Sequence, residues 1–215
     1  REVQYMSRNH FVNFLSAEEA AKLIPDDAVI ASACFGNGGW PHELAYAMED
    51  LFLETGHPAN ITHIHAAGCG DFGKNGHGEC HWSHDGMMTR VLTSHPGSSP
   101  KLMKMITDNK IAAWNQPLGT MIQVFREMGR NMPGLLSKTG LGTFMDPRSD
   151  KGAINDLARS QNVEWAQYIP DFCGEDYIFY KAYPLTHAFI RGTYADTNGN
   201  ISVENEAYNL ESLAV

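Results

Sequence analysis

Asp26-Asp27-Ala28-Val29-Ile30-Ala31-Ser32-Ala33-Cys34-Phe35-Gly36-Asn37-Gly38-Gly39-Trp40-Pro41-His42-Glu43-Leu44 passes from a short apolar run through clustered glycines into an amphipathic pattern. Residues 29–33 have the length and composition of a strand buried on both faces. Gly36, Gly38 and Gly39 admit backbone angles and close approaches that a Cβ forbids. Pro41 suits a first helical turn, Leu44, Met48, Leu51 and Phe52 then share a stripe, and Gly56 fits a C-cap. Strand, glycine loop and helix in that order aim backbone N–H groups at an anion or a developing oxyanion. The loop tip, Gly36, Asn37, Gly38 and Gly39, is therefore a candidate site, with a plain packing turn as the alternative. The segment contains neither Gly-x-Gly-x-x-Gly nor Gly-x-x-x-x-Gly-Lys-Ser/Thr, so the dinucleotide and triphosphate fingerprints are missing from it.

Working outward, Ser16-Ala17-Glu18-Glu19 has the form of a capping box, opening a helix that carries Ala20, Leu23 and Ile24 and stops at Pro25. Residues 60–66 alternate like a strand around Ile61 and Ile64, and Gly68-Cys69-Gly70-Asp71-Phe72-Gly73 breaks that strand into another loop facing the same site. Ser98-Ser99-Pro100 opens a helix through Leu102, Met103 and Ile106; residues 111–114 read as a strand; residues 119–128 read as a helix with Met121, Ile122, Phe125 and Met128 inward. Strand alternating with helix predicts an α/β fold, an open and mostly parallel sheet with flanking helices. In the last third, Tyr177-Ile178-Phe179-Tyr180 and residues 187–191 read as strands, and residues 196–203 as a turn entering another.

The 215 residues, 43% hydrophobic and 19% charged, suffice for one substantial domain spanning 1–215. A net charge of −9 argues against nucleic-acid and anionic-membrane partners. Four cysteines, Cys34, Cys69, Cys80 and Cys173, at no disulfide-framework spacing predict reduced thiols and a cytoplasmic protein. The chain starts at Arg1, and a new apolar pattern begins at Leu210-Glu211-Ser212-Leu213-Ala214-Val215, which suggests a domain incomplete at its C-terminal end.

Cys69, His77, Cys80, His81 and His84 invite a metal reading, but they lack paired Cys-x2-4-Cys and His-x3-5-His spacing, and no metal is expected. Gln116-Pro117-Leu118-Gly119-Thr120 ends a strand and opens a helix, a second place for converging N–H groups or else a simple connection. Lys138-Thr139-Gly140-Leu141-Gly142-Thr143-Phe144-Met145-Asp146-Pro147-Arg148 is a third glycine loop, whose Arg148 meets either an anionic ligand or a neighbouring acid. His187 and Arg191 fall on one face of their strand, with His187 read as a buried, satisfied histidine. Tyr177, Phe179, Tyr180 and Tyr183 read as core or interface aromatics, and no nucleophilic triad can be assembled from the sequence.

The opening segment, Cys80-His81-Trp82-Ser83-His84-Asp85-Gly86-Met87-Met88, the loop ending at Arg148, and Phe189-Ile190-Arg191-Gly192-Thr193-Tyr194-Ala195-Asp196 with Gly199-Asn200-Ile201 match in order, over nearly the whole chain, one family. Together they resemble the amino-terminal half of family I coenzyme A transferases, most closely the single-chain propionate and acetate enzymes. The resemblance implies a ping-pong reaction on a glutamate carboxylate, through an acyl-glutamyl anhydride and a glutamyl-CoA thioester, moving CoA between a short-chain acyl-CoA and a carboxylic acid. It also implies that coenzyme A is a substrate with no permanently bound cofactor, that the carboxyl-terminal half of the same enzyme is the partner, and that the assembly is a homo-oligomer. The nucleophilic glutamate belongs to that other half, so no catalytic residue is expected in this chain; Glu54-Thr55-Gly56 has a Glu-x-Gly shape but lies at a helix end. Residues 36–39 then border the acyl site as the oxyanion loop. The segment Trp114-Asn115-Gln116-Pro117-Leu118-Gly119-Thr120 matches a family stretch with glutamine just before the glycine; here that place holds Leu118, with Gln116 two residues earlier. Gln116, Leu118 and Gly119 are the expected substrate-binding residues, Gln116 replacing the family glutamine or Leu118 making the acyl pocket more apolar. His81, His84 and His95 also match family positions.

Two rivals share the broad fold class. A sugar-phosphate-binding sensor would use similar glycine loops and carry a DNA-binding segment. A sugar-phosphate isomerase would need its acid/base pair and phosphate cluster inside the chain. Neither accounts for the ordered matches from Asp27 to Asn200.

Overall fold

The computed structural model describes residues 12–73 and 76–206; the apolar pattern at residues 210–215 lies outside them. In chain order the elements are α1 (Ala17–Ala21), β1 (Val29–Ser32), α2 (His42–Thr55), β2 (Ile61–His65), β3 (Met88–Thr93), α3 (Pro100–Thr107), β4 (Ala112–Asn115), α4 (Leu118–Gly129), β5 (Gly134–Ser137), α5 (Asp156–Ser160), β6 (Ala166–Phe172), β7 (Glu175–Lys181), β8 (His187–Phe189), β9 (Tyr194–Ala195) and β10 (Ile201–Ser202). Five strands form one sheet in the order β4-β3-β2-β1-β8. Every pairing within it is parallel.

Successive residues of these strands enter different cores. Ile30, Val91 and Ala113 join Trp40, Met48, Leu102 and Ile106 on one side. Ala31, Leu92 and Trp114 join Met121, Phe125, Ile178 and Tyr180 on the other. That period of two makes the sheet a middle layer, with α2 and α3 packed on one face and α4 on the other. A three-stranded antiparallel sheet, β5-β7-β6, backs α4 and was not foreseen beyond β7 itself. The short β9/β10 hairpin closes on Asp196, whose carboxylate accepts from the N–H groups of Asn198 and Asn200.

Four sequence expectations are corrected. The α1 capping box is present, Ser16 and Glu19 each accepting from the other's N–H, but the helix ends at Ala21 and Leu23 is exposed. β2 does not alternate; all five residues are buried, because both faces of a central parallel strand are covered. β8 stops at Phe189, so Arg191 lies beyond it, and His187 is half-buried against the Thr186 hydroxyl at 2.8 Å. The thiols are not all reduced: Cys34 and Cys69 form a disulfide with a Cα–Cα distance of 5.8 Å, leaving Cys80 and Cys173 free. Adjacent parallel strands β1 and β2 deliver their following loops side by side, so cysteines 35 apart in sequence meet.

Candidate active site

Because β1 to β4 are parallel, the loops that leave them gather at one edge of the sheet, where open α/β sheets bind ligands. The first two loops are stitched together: Gly36 N–H donates to the Gly68 carbonyl at 2.8 Å and Gly70 N–H to the Gly36 carbonyl at 3.1 Å. Gly36 sits at φ +62°, in the left-handed region. Gly68 is demanded by proximity instead, since a Cβ there would lie 2.6 Å from the His95 carbonyl of the third loop.

Between these loops opens a cavity of about 550 Å³. Phe35 and Gly36 come from the first loop, Phe72 from the second, Ser98 from the third, and Gln116 and Leu118 from the end of β4 and the start of α4. The structure thus brings Gly36, Gln116 and Leu118 to one cavity, with Gly119 in the adjoining first turn of α4. Gln116 is 4% exposed; its Oε1 accepts from the Tyr183 hydroxyl at 2.7 Å, and its buried Nε2 has no protein partner. Ser98 Oγ is likewise buried without one. Leu118 is 37% exposed, presenting an apolar side chain at the mouth. A second cavity of about 580 Å³ lies against Ser16, His42 and Arg191, but its arginine is already paired with Glu206 at 3.2 Å and it contains none of residues 36–39.

The glycine loop itself is less open than its composition predicts. Gly38 N–H donates to the Phe35 carbonyl and Phe35 N–H to that of Gly38, while Gly36 N–H is taken by Gly68. Two of the loop's N–H groups are therefore already taken, and of residues 36–39 only Gly36 lines the cavity; Asn37, Gly38 and Gly39 do not, and Gly39 is buried. Asn37 Oδ1 is buried without a partner.

Beneath the loops runs a polar network that the sequence reading missed. His63 Nε2 lies 2.6 Å from Ser32 Oγ, and its Nδ1 lies 2.7 Å from Glu79 Oε1. His65 Nε2 reaches the same carboxylate oxygen at 2.8 Å, and the side chains of both histidines and the glutamate are wholly buried. Burial pushes the His63 pKa down, with the charge of His65 adding to it, to about 4. Burial alone would raise Glu79, but His65 and His63 more than offset it and hold the carboxyl at about 2. Ser32, His63 and Glu79 have triad-like contacts, yet all three are sealed from solvent, so the arrangement braces the strand ends below the loops. Its signal in the sequence was a pair of histidines two apart in a strand that the topology buries.

The remaining polar candidates are accounted for structurally. His81 and His84 both bond Glu49 of α2, and His77 Nδ1 lies 2.6 Å from the Tyr46 hydroxyl. Burial would raise Glu49, but hydrogen bonds from His84 and His81 prevail and lower it. Two other groups have donor atoms close enough for a metal ion, Cys34 with His65 and Cys69, and His63 with His65 and Glu79. In the first the sulfurs are bonded to each other, and in the second the imidazole nitrogens already bond the carboxylate. Arg148 meets a neighbouring acid: its guanidinium and N–H both donate to Asp146, and the ring of Tyr168 lies 4.0 Å from its centre. Tyr180 and Tyr183 are core residues, whereas Tyr177 and Phe179 are half-buried.

The coenzyme A transferase family model matches residues 14–215, and the chain belongs to that family. It is 41% identical over 202 residues to caffeate CoA-transferase of Acetobacterium woodii, covering 94% of this chain and 37% of that protein. It is 33% identical over 210 residues to acetate CoA-transferase YdiF of Escherichia coli K12, covering 96% and 38%. The chain therefore spans well under half the length of these relatives. The solved acyl-CoA transferase YdiF of E. coli O157:H7, as a thioester complex with CoA, superposes with a TM-score of 0.84 at 32% identity, over 94% of this chain and 41% of that one. A relative from Clostridium acetobutylicum, 27% identical over 111 residues, is named as an alpha subunit. Among the described residues no helix is long and apolar enough to cross a membrane.

Proposed function

We propose that the protein to which this chain contributes transfers CoA between an acyl-CoA and a carboxylic acid, and that residues 12–206 supply the acyl-binding side of its active site. The observation that carries this reading is the convergence of Gly36, Gln116 and Leu118 on one cavity at the strand ends of a coenzyme A transferase domain. A glutamate carboxylate from the carboxyl-terminal half attacks the thioester carbonyl, the C–S bond breaks and CoA thiolate leaves, giving the acyl-glutamyl anhydride. Thiolate then attacks the glutamyl carbonyl and releases the acyl group as a carboxylate; the acceptor acid repeats the sequence in reverse. At each tetrahedral stage the loop of Gly36, Asn37, Gly38 and Gly39 borders the acyl group, and a backbone N–H donated from it to the developing oxyanion is worth roughly 3 kcal/mol of barrier. Gln116 Nε2 donates to the acyl or carboxylate oxygen, taking over the role of the family glutamine displaced by Leu118.

Coenzyme A is a substrate in this scheme, the partner is the carboxyl-terminal half of the same enzyme, the assembly is a homo-oligomer, and the setting is the cytoplasm. The sugar-phosphate alternatives are disfavoured because no lysine or arginine among the described residues lines the cavity, where a phosphate would call for one. The test is an exchange assay on the complete protein with acetyl-CoA and propionate: propionyl-CoA formed with ping-pong kinetics supports the reading, and no exchange with any acyl-CoA refutes it.

A further inference from the structure

We infer that the acyl pocket selects acids with an apolar, aryl-bearing tail over acetate. This rests on the transferase reading above and names the substrate class of the same site.

Two kinds of surface meet in the cavity. Its polar part is small and sharply placed: Gln116 Nε2 and Ser98 Oγ, on residues 4% and 2% exposed, are buried without protein partners. Leaving such groups dry and unbonded costs about 1 to 3 kcal/mol each, so the site is built for a ligand oxygen. A carboxylate or thioester carbonyl meets that need. Ser94, His95 and Asn115 also line it, and the larger share of the wall is apolar, with Phe35 53%, Phe72 71% and Leu118 37% exposed, together with Met145 and Pro117. Exposed large apolar side chains gathered around one opening mark a binding surface, because scattered ones would not line a common cavity.

Size and shape then select the tail. An acetyl methyl occupies a small part of about 550 Å³ and leaves Phe72 and Met145 untouched. Phe72 already stands edge-on to His95, with ring centroids 6.4 Å apart at 75°. A third ring entering beside them finds the same edge and offset geometries, and Met145 offers a thioether for contact with an aromatic ring. Leu118, where the family has glutamine, removes a polar side chain from this wall.

The experiment compares acetate, butyrate, hexanoate and 3-phenylpropanoate as acceptors in the complete enzyme, with acetyl-CoA as donor, for wild type, Leu118→Gln and Phe72→Ala. Each buried methylene is worth roughly a fourfold gain. The expected result is a kcat/KM for 3-phenylpropanoate at least tenfold above that for acetate, with the ratio falling severalfold in both variants. Both positions are exposed, so the substitutions leave the core intact. Acetate used as well as or better than 3-phenylpropanoate overturns this inference while leaving the transferase reading standing. Hexanoate matching 3-phenylpropanoate overturns the aryl assignment. Failure of every acid overturns the transferase reading and this inference with it.

Discussion

The Tyr183 hydroxyl lies 2.7 Å from Gln116 Oε1, joining the segment between β7 and β8 to the end of β4 through the core. With that oxygen held from behind, the other end of the amide, Nε2, is buried without a protein partner on a residue that lines the cavity. Tyr183 does not line the cavity, so in the proposed mechanism it is a positioning residue that acts through Gln116. Tyr183→Phe removes the restraint and lets the amide turn. A neutral hydrogen bond is worth about 0.5 to 1.5 kcal/mol, so kcat/KM should fall roughly two- to tenfold. Gln116→Ala should cost more and leave Tyr183→Phe without further effect in the double variant. Additive losses in that cycle would show that the two residues act separately.

Gly68 offers a steric test of the loop assembly. In Gly68→Ala the new methyl would lie 2.6 Å from the His95 carbonyl and 2.4 Å from Ser98 Oγ, so the third loop must withdraw. Overpacking of this kind costs about 1 to 3 kcal/mol. The expected outcome is a lower melting temperature together with weakened acceptor binding, read as a raised KM. A variant as stable and as active as wild type would mean that these loops do not pack as described.

The buried network gives the protein a defined acid sensitivity. Burial holds the His63 imidazole down to about 4 from its ordinary 6.5, and against burial the neighbouring histidines hold the Glu79 carboxyl down to about 2 from 4.5. Both folded values are depressed, so below pH 6.5 the unfolded chain takes up a proton at His63 that the folded chain refuses, and below 4.5 the same holds at Glu79. Stability is fully present above about pH 6.5 and declines as pH falls through both windows. Trp40 and Trp82 flank His63, with ring centroids 5.6 and 5.1 Å away, so tryptophan fluorescence is a suitable monitor of unfolding. Glu79→Gln removes a carboxylate held by buried imidazoles and should lower stability at pH 7.5 by about 1.5 to 3 kcal/mol, the worth of a hydrogen bond to a charged group, and flatten the loss between pH 4.5 and 2. An unchanged acid profile in that variant would remove Glu79 from the account.

Much of the parallel sheet was legible because local signals agreed. The apolar run ending at Ser32, the glycine loop and the stripe of Leu44 and Met48 all pointed to strand, loop and helix. The loops at Gly36 and Gln116 were found from the same pattern, and the parallel topology is what brings them to one cavity. Long-range pairing was not legible. The buried state of His63 and His65 depends on β2 lying between β1 and β3, and the Cys34–Cys69 contact depends on those strands' register. β6 was missed because its mixture of polar and apolar residues follows no strict alternation, and its place is fixed by pairing with β7. The commitment of the Gly36 and Gly38 N–H groups to internal bonds is likewise invisible in composition, which marks a glycine loop without saying where its donors point.

The central claim is that this chain binds the acyl group while the nucleophilic carboxylate comes from elsewhere in the enzyme. The direct measurement is to incubate the complete protein with acyl-CoA, trap the covalent CoA adduct, digest, and locate it by mass spectrometry. The account predicts one glutamyl-CoA adduct, on a peptide outside residues 1–215. An adduct on a glutamate within residues 1–215, or turnover by this chain without the remaining half, would contradict it.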